Sequence, residues 1–500
     1  MKKLTVALTA IAASAMALQA ETLIRVNSVG YLTDDSKVAV LLSHEPIQAE
    51  SFTIINVANG NTVSLPAKSV GEYAPFASTA RLDFSSVTEP GSYRIEAAGA
   101  KSPIFRISDD AYVGLNEIPL RYMRQQRCGY NPFLRDSCHR HDGVVVLHPT
   151  LEGQHIDVTG GWHDASDYLQ YLTTSANATY QMLFAYSMNP EAWADEYDAA
   201  GNPGANGIPD ILDEARWGLE WMVKMNPDSA TYFNQIADDR DHRMAQLPTG
   251  DKVDYGWGDG AARPIYPCYG APYGLQKYKN RSRGLASSVG KYASSFSLGS
   301  QLFSKIDPQF AADIAQRSAN AYAVAKANPG ECQTACCVSP YFYEEDNWAD
   351  DMELAAIEMF KATGDRSYLT DAIGYGRIEP VTPWMGADSA RHYQWYPFVN
   401  IGHFQISRHG GDREKQEFVR NMRSGLSRVA DRAEGNPFCN GVPGIWCSNN
   451  LTVGLITQAM LYRQLTGDEQ FREMETSLRD WLFGVNPWGQ DNDHRHTPRC

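Results

Sequence analysis

The sequence predicts a multidomain chain in which an all-β sandwich precedes a larger all-α domain of paired helices. Three observations support this prediction. The chain has 500 residues, which exceeds what one hydrophobic core usually supports. Short β-type runs separated by turn residues occupy residues 21–108. From residue 109 to residue 500 the apolar positions recur with the period of α-helices.

The sandwich is predicted from short runs of β-branched and aromatic residues, bounded by turn signals such as Pro90-Gly91. These runs cover residues 23–26, 38–42, 52–55, 81–84, 93–96 and 104–107. Together they predict a β-sandwich of roughly a hundred residues. It carries no candidate catalytic group.

The helical part is predicted from apolar periodicity and from two similar helix ends. Expected helices cover residues 208–223, 310–327, 348–363, 415–434, 451–466 and 471–483, and another begins near Tyr168. Two of them end in the same way, at Gly364-Asp365 and at Gly467-Asp468. A helix closed by glycine and re-entered through aspartate is a helical hairpin, and its recurrence predicts a toroid of paired helices. The loops at one rim of the toroid would carry the function.

The N-terminus and the overall charge limit where the protein acts and what it binds. A basic start and an apolar run at residues 4–18 indicate a secretory signal peptide over residues 1–20, cleaved after Ala17 or Ala20. No later apolar run is long enough to span a bilayer, so we expect a secreted protein, extracellular or periplasmic. The formal net charge of −15 argues against nucleic acid or an anionic membrane as a partner. A neutral ligand fits better, and we expect a monomer.

The cysteines can form disulfides if the chain is exported. Cys439 and Cys447 lie close together in sequence, and a local disulfide is favoured for them. Another short segment contains Cys332, Cys336 and Cys337, which could hold one disulfide and a free thiol. Their spacing does not decide the pairing.

Two carboxylates stand out as candidate catalytic groups. Asp164 and Asp167 are three residues apart, where a Gly-Gly loop feeds a run with helical periodicity. We expect both to point into one pocket from one helical turn. Such a pair can activate a water when one member is ionised and the other fixes the position of that water. The alternative is that they only cap the start of a helix.

A second constellation has the composition of a zinc site. Two thiols and two imidazoles, from Cys128, Cys138, His139 and His163, make a full tetrahedral shell. Because His163 directly precedes Asp164, the metal would be tied to the catalytic loop. The alternative is a Cys128–Cys138 disulfide with two surface histidines.

Carboxylates also crowd around Trp348 at the start of an expected helix, where Asp350 and Asp351 are candidate calcium ligands. A solvated helix N-terminus is the alternative.

For a sugar ligand, aromatic rings would serve as platforms beside polar groups. The candidates are Trp257, Trp348, Trp395, Tyr396 and, as a hydroxyl contact, His392. Each of these aromatics could equally belong to the core.

At this point four ordered segments together carry a resemblance to family 9 glycoside hydrolases. They are residues 160–167 (GGWHDASD), 210–217 (DILDEARW), 345–355 (EDNWADDMELA) and 481–489 (WLFGVNPWG). Residues 24–31 (IRVNSVGY) are similar to the immunoglobulin-like module that precedes the catalytic domain in one branch of that family. The resemblance implies an (α/α)6 barrel, inverting hydrolysis of β-1,4-glucan and a secreted cellulase of the endoglucanase type.

The resemblance also implies roles for individual residues. Asp167 would be the general base, and Asp164 would help to position the water. It further implies a structural zinc bound by a set such as Cys128, Cys138, His139 and His163, and a calcium near the helix that begins after Trp348. An inverting enzyme needs its acid roughly 6.5–9.5 Å from its base, so the two aspartates belong together on the base side.

The sequence departs from the family at the general acid. The family's acid is a glutamate beyond the Asn-Pro-x-Gly segment, but residues 490–500 contain no glutamate. We therefore expect this chain to lack the acid and a last helix, which a truncated or frame-shifted reading explains better than a substitute at Asp491 or Asp493.

Three functions are consistent with these residues. The leading hypothesis is a secreted β-1,4-glucanase acting on cellulose or cello-oligosaccharides. The second is a glucan-binding protein whose catalysis is impaired because it lacks the general acid. The third is a metallohydrolase that uses His163 and its neighbours directly.

Overall fold

The computed structural model describes residues 22–165, 167–242, 246–340, 342–386 and 398–489. This part of the chain divides into two compact units. One contains residues 22–111, 435–439 and 480–489, and the other contains the described residues of 112–434 and 440–479. Within the described ranges, none of the helices combines the length and the apolar character that crossing a bilayer requires.

The first unit is a β-sandwich. Its strands are β1 (Thr22–Arg25), β2 (Val38–Ser43), β3 (Ser51–Asn56), β4 (Thr62–Pro66), β5 (Lys68–Tyr73), β6 (Phe76–Asp83), β7 (Gly91–Ala97), β8 (Ala100–Lys101) and β9 (Phe105–Ile107). One sheet has the order β1-β2-β6-β5, and the other has the order β4-β3-β7-β8 with β9 also paired to β7. All of these pairings are antiparallel. Between the sheets, the ring of Tyr31 meets those of Phe84 and Phe105 edge to face, at 5.0 and 5.4 Å.

Each β-run expected from the sequence overlaps one of these strands, whereas β4 and β5 were not expected. Most residues of β4 and β5 are exposed. β4 (TVSLP) is short but does alternate polar and apolar residues, whereas β5 (KSVGEY) lacks the alternation on which strand prediction depends. β4 pairs with β3 and β5 pairs with β6, and these pairings, more than composition, hold both segments in the extended conformation.

The second unit is mainly helical. Its helices are α1 (Glu117–Gln125), α2 (Leu172–Met188), α3 (Asp210–Lys224), α4 (Ala286–Phe303), α5 (Pro308–Ala327), α6 (Ala349–Thr363), α7 (Arg366–Ile378), α8 (Pro383–Gly386), α9 (Ile401–His409), α10 (Asp412–Arg432), α11 (Ser448–Thr466) and α12 (Arg472–Leu482). Helices α2, α4, α6, α9 and α11 pack on one another in succession. Helices α3, α5, α7 and α10 pack against α2, α4, α6 and α9 respectively. This two-layer pattern of consecutive hairpins is that of an (α/α) barrel.

The expected helix ends are confirmed. Gly364 and Gly467 follow α6 and α11 with φ of 73° and 70°, the left-handed conformation that glycine adopts most easily. Asp365 then accepts a hydrogen bond from the backbone N–H of Ser367 and caps α7. By contrast, α4 was not predicted. It is rich in Ser, Ala and Gly and buried on nearly all sides, so it has no apolar stripe to detect.

The prediction that Asp164 and Asp167 share a helical turn is wrong. The described residues between Gly161 and Leu169 form a loop, and α2 begins only at Leu172. The two aspartates lie in the loop that leads into a short strand, and this strand immediately precedes α2. The reason is that this segment is held by a small sheet, a tertiary contact that periodicity does not report.

That small sheet lies within the helical unit and consists of β12 (Val144–Val145), β13 (Gln170–Tyr171), β14 (Phe233–Ile236) and β15 (Pro264–Pro267), in the order β12-β15-β14-β13. A separate hairpin joins β10 (Tyr130–Asn131) to β11 (Asp136–Ser137). Since β13 and β14 are antiparallel, residues that precede β13 lie beside residues that follow β14. This pairing assembles the candidate site.

Candidate functional site

Asp164 is held by two hydroxyl groups. Thr174 Oγ1 donates to its Oδ1 at 2.8 Å, and the Tyr343 hydroxyl donates to its Oδ2 at 2.9 Å. Burial raises the pKa of Asp164 to about 6, and the charge of Asp167 adds to the increase, while the two hydroxyl donors oppose it. Both carboxylate oxygens are therefore oriented by the protein, and the group titrates near neutral pH.

Asp167 has a different environment. The backbone N–H of Leu169 donates to its carboxylate, and Nε2 of His242 lies 3.4 Å from Oδ2. Its Oδ1 is buried and receives no hydrogen bond from the described residues. Burial raises the pKa of Asp167, and the charge of His242 opposes that rise. Asp167 thus keeps one carboxylate oxygen without a hydrogen-bond donor among the described residues.

A cavity of about 670 Å³ opens beside Asp164. Residues of α1, α2, α11 and the loops between helices line it. Its aromatic side chains are Tyr122, Tyr343, Phe398 and Trp446. Trp446 is 77% exposed, so its ring faces are accessible to a ligand. Apolar rings next to a carboxylate are what the C–H faces and hydroxyl edges of a sugar require.

The predicted sugar platforms lie elsewhere or outside the described residues. Trp257 is 42% exposed in a loop that Asp254 holds through the N–H groups of Gly256 and Gly258. Trp348 packs edge to face against Tyr375 of α7, with centroids 5.9 Å apart. Neither is among the residues that line the cavity beside Asp164. The remaining candidates, His392, Trp395 and Tyr396, lie in residues 387–397, outside the described ranges.

The four predicted zinc ligands are brought together. One ligand atom from each of Cys128, Cys138, His139 and His163 lies within 4.8 Å of all the others. Cys128 Sγ is 3.6 Å from His139 Nδ1, and Cys138 Sγ is 3.6 Å from His163 Nε2. A tetrahedral zinc with usual bond lengths places sulfur and nitrogen ligands about 3.6 Å apart. The donor set and its spacing therefore fit a zinc ion.

Residues around these ligands fix their orientation. Nε2 of His139 lies 3.1 Å from Asp251 Oδ2, and Arg263 Nη2 lies 3.5 Å from Cys128 Sγ. The same guanidinium pairs with Asp142 at 2.7 Å and also donates to the backbone carbonyl of Tyr168. A carboxylate behind a histidine ligand is a typical outer contact of a zinc site. Arg263 therefore connects the metal-ligand group to the loop of Asp167.

The structure favours an ion pair over calcium at Asp350 and Asp351. Nζ of Lys291, a buried residue of α4, lies 2.9 Å from Asp351 Oδ2 and 2.6 Å from Glu345 Oε1. Asp350 instead accepts a hydrogen bond from Asn347 at 2.8 Å. The ammonium group supplies the positive charge for which calcium was predicted. Among the described residues, the clusters that could hold a metal do not include Asp350 or Asp351.

The residues of the site that sequence reasoning missed include Thr174, His242, Tyr343 and Trp446. His242 and Tyr343 are far from the aspartates in sequence, and no local pattern marks them. The only signal for Trp446 was an aromatic residue in a loop just before an expected helix, a criterion that many aromatics meet.

Comparison with known proteins gives two family matches. The model of glycosyl hydrolase family 9 matches residues 112–491, and that of the cellulase N-terminal ig-like domain matches residues 19–102. Endoglucanase C of Cellulomonas fimi is 26% identical over 95% of this chain and 45% of its own length. The cellodextrinase of Butyrivibrio fibrisolvens is 26% identical over 69% of this chain and 60% of its own. A xyloglucan-specific endo-β-1,4-glucanase of Bacteroides ovatus is 23% identical over 83% of this chain and 69% of its own length.

The chain therefore spans 45% and 60% of the lengths of the first two relatives. Among solved structures, a metagenome-derived family 9 endoglucanase aligns with a TM-score of 0.73 and 23% identity, over 94% of this chain and 84% of its own. A Zn-binding triple mutant of the family 9 endoglucanase J30 aligns with a TM-score of 0.71 and 21% identity, over 92% of this chain and 83% of its own. These likenesses show the fold, an immunoglobulin-like sandwich followed by an (α/α)6 barrel. Since the family 9 model matches most of the chain, this protein belongs to glycosyl hydrolase family 9.

Proposed function

We propose that this chain is a secreted endo-β-1,4-glucanase that hydrolyses β-1,4-glucosidic bonds of cellulose or cello-oligosaccharides with inversion. The contrast between the two aspartates carries this proposal. Both oxygens of Asp164 accept hydroxyl hydrogen bonds, whereas Oδ1 of Asp167 receives none from the described residues. A fixed carboxylate beside a carboxylate with a free acceptor is the arrangement that positions and deprotonates a water.

In this mechanism Asp167 accepts a proton from the water as its oxygen attacks the anomeric carbon. Asp164 orients that water through the oxygen lone pairs that Thr174 and Tyr343 leave available. Burial raises the pKa of Asp167, and a positive charge on the adjacent His242 ring opposes that rise and so favours the ionised form that a base requires. The general acid implied by the resemblance would fall after Gly489, outside the described residues, and Asp491 and Asp493 lie there too.

The named activities of the relatives support a β-glucan as the substrate. They are an endoglucanase, a cellodextrinase and a xyloglucan-specific endo-β-1,4-glucanase. The aromatic cavity beside Asp164 supports a neutral sugar ligand, and the net charge of −15 disfavours a polyanionic one. We place the enzyme outside the cytoplasm and propose that it acts as a monomer.

We further propose that Cys128, Cys138, His139 and His163 hold one structural zinc. When bound, the ion would cross-link the segments on which its ligands lie. Four protein ligands fill a tetrahedral shell and leave no position for water or substrate. The ligand set therefore favours a glucanase over a metallohydrolase that acts through His163.

The decisive experiment compares Asp167→Asn with the unaltered chain on carboxymethylcellulose and on an aryl cellobioside, whose good leaving group needs little help from an acid. We expect an intact fold by circular dichroism and a fall in turnover of the aryl substrate by ~10²–10⁴. Equal turnover by the variant would remove Asp167 from the mechanism. Cellulose binding without release of reducing sugar from either substrate would favour the glucan-binding alternative.

The zinc proposal is tested by elemental analysis of the purified protein, with Cys138→Ser as the variant. We expect about one zinc per chain in the wild type and a lower content in the variant, together with a lower melting temperature. A chain without zinc in which Cys128 and Cys138 are disulfide-bonded would contradict the proposal. Activity that depends on metal while Asp167→Asn stays active would instead favour the metallohydrolase.

A further inference from the structure

Two cysteines that are far apart in sequence meet inside the helical unit. Cys268 directly follows β15, and Cys332 lies in the segment between α5 and α6. Both are buried, at 8% and 1% exposure. Both are free thiols in this structure. They are near enough for a thiol–thiol hydrogen bond to be the side-chain contact that shifts the pKa of each, and neither belongs to the group of Cys128, Cys138, His139 and His163.

The surroundings of the pair hold both sulfurs in place. The backbone N–H of Cys268 donates to the Tyr232 carbonyl at 2.8 Å, and that of Cys332 donates to Ser287 Oγ at 2.9 Å. Asn234 Nδ2 lies 3.5 Å from Cys332 Sγ. Hydrogen bonds from the Cys268 thiol, the Ser288 hydroxyl and the Tyr269 backbone N–H lower the pKa of Cys332 against the opposing effect of burial.

The segment that contains Cys332 also supports the catalytic loop. Two residues further on, Thr334 Oγ1 accepts from the N–H of Tyr343 at 2.8 Å, and the N–H of Thr334 donates to the Tyr343 carbonyl at 3.2 Å. The Tyr343 hydroxyl in turn donates to Asp164. A covalent link at Cys332 would therefore stabilise the backbone that places Tyr343 beside Asp164.

We propose that Cys268 and Cys332 form a disulfide in the mature protein, which links the end of β15 to the segment that positions Tyr343. The oxidant is a disulfide compound, such as oxidised glutathione or a disulfide-bearing oxidoreductase of the export route. The Cys332 thiolate attacks one sulfur of the oxidant and expels the first thiolate. The Cys268 thiolate then attacks the Cys332 sulfur and expels the second. Two electrons and two protons pass from the cysteine pair to the oxidant, which becomes two thiols. Because both sulfurs are buried, the reaction precedes closure of this part of the fold.

The test is a peptide map of the full chain, exported to an oxidising compartment and then denatured in acid with a thiol-alkylating reagent and no reductant. We expect one cross-linked peptide pair that contains Cys268 and Cys332, and its separation into two alkylated peptides after reduction. Recovery of both cysteines as alkylated thiols, or a link from either one to Cys336 or Cys337, would overturn the proposal. The map uses the unaltered chain, so it does not depend on how a variant folds.

A second measurement tests the consequence of the link. Reductant during a thermal scan is expected to lower the melting temperature of the wild type by ~5 °C. The double variant Cys268→Ala with Cys332→Ala should melt at the reduced value with or without reductant, whereas Cys336→Ala should keep the response of the wild type. If the melting temperature of the wild type did not change with reductant and equalled that of the double variant, the disulfide would be contradicted. Turnover of an aryl cellobioside reports separately on Asp167, so failure of the disulfide leaves the proposed glucanase activity unaffected.

Discussion

At the scale of single residues, the two aspartates differ in their hydrogen-bond donors more than in their burial. Asp164 is oriented by side chains of α2 and of the segment before α6. Asp167 has one backbone donor and the ring of His242. The first arrangement fixes a carboxylate, and the second leaves an acceptor available. This difference assigns the two roles in the mechanism.

Tyr343→Phe should move the pH dependence of the reaction. Asp164 acts as a carboxylate, so we expect kcat/KM to rise with pH through the pKa of Asp164, about 6. Without the Tyr343 hydroxyl the ionised form of Asp164 loses a hydrogen-bond donor, which raises the pKa of Asp164. The rise of kcat/KM with pH should therefore shift to higher pH by ~0.5–1 pH unit. The measurement is a pH profile of kcat/KM on an aryl cellobioside.

The matched control is Tyr462→Phe, which removes another tyrosine hydroxyl that donates to an aspartate, here Asp468 at 2.8 Å. It should leave the profile unchanged. An unshifted limb in Tyr343→Phe would show that Asp164 does not set it.

Trp446→Ala tests the cavity as a sugar site. Loss of this exposed ring should raise KM for cello-oligosaccharides by ~5-fold, because one aromatic platform contributes ~1 kcal/mol to binding. Turnover at saturation should change much less. Trp488→Ala is the control, since Trp488 is also exposed but packs on Trp481 and does not line this cavity. Equal KM values for the two variants would place the sugar elsewhere.

At the scale of elements, the helical hairpins depend on glycines with a left-handed backbone. Gly364 closes α6 at φ 73°, with open space where a Cβ would be. Gly364→Ala is therefore strained by its backbone and not by a clash, and should lower the free energy of unfolding by ~1 kcal/mol.

Gly374→Ala is the matched control in the following helix. Gly374 lies inside α7, also with open space around its added Cβ, so alanine should stabilise by ~0.5–1 kcal/mol through helix propensity. Denaturant melts of both variants measure these opposite signs. Stabilisation by Gly364→Ala would contradict the cap.

At the scale of the whole molecule, the helical unit contains charges in its interior, and Lys291 joins two of its helices. Lys291→Met removes the cation and leaves Glu345 and Asp351 buried together. We expect the free energy of unfolding to fall by ~3–5 kcal/mol, because breaking a buried pair leaves a charge without compensation. Lys305→Met, at an exposed position after α4, should have an effect near zero by the same denaturant melts. If both variants were equally stable, the pair would have no structural role.

Local sequence patterns were enough to predict the order of the two architectures, the hairpins closed by Gly364 and Gly467, and the residue groups around Asp164 and Cys128. These properties follow from period, capping and residue chemistry within short segments. The family resemblance also depended on such segments, and the family match confirms it. A local pattern is sufficient wherever neighbours in the chain are also neighbours in space.

The residues that complete the site from distant parts of the chain are visible only in the folded protein. The pairing of β13 with β14 brings His242 to Asp167, and the segment before α6 brings Tyr343 to Asp164. Likewise the ammonium group of Lys291 lies beside Asp351. Helix α4 was not predicted because it is buried on nearly all sides. Contacts between segments far apart in the chain produce no periodic pattern in the sequence. Each segment in such a contact matches the shape and charge of the other segment, and the residues next to it in the chain do not report that match.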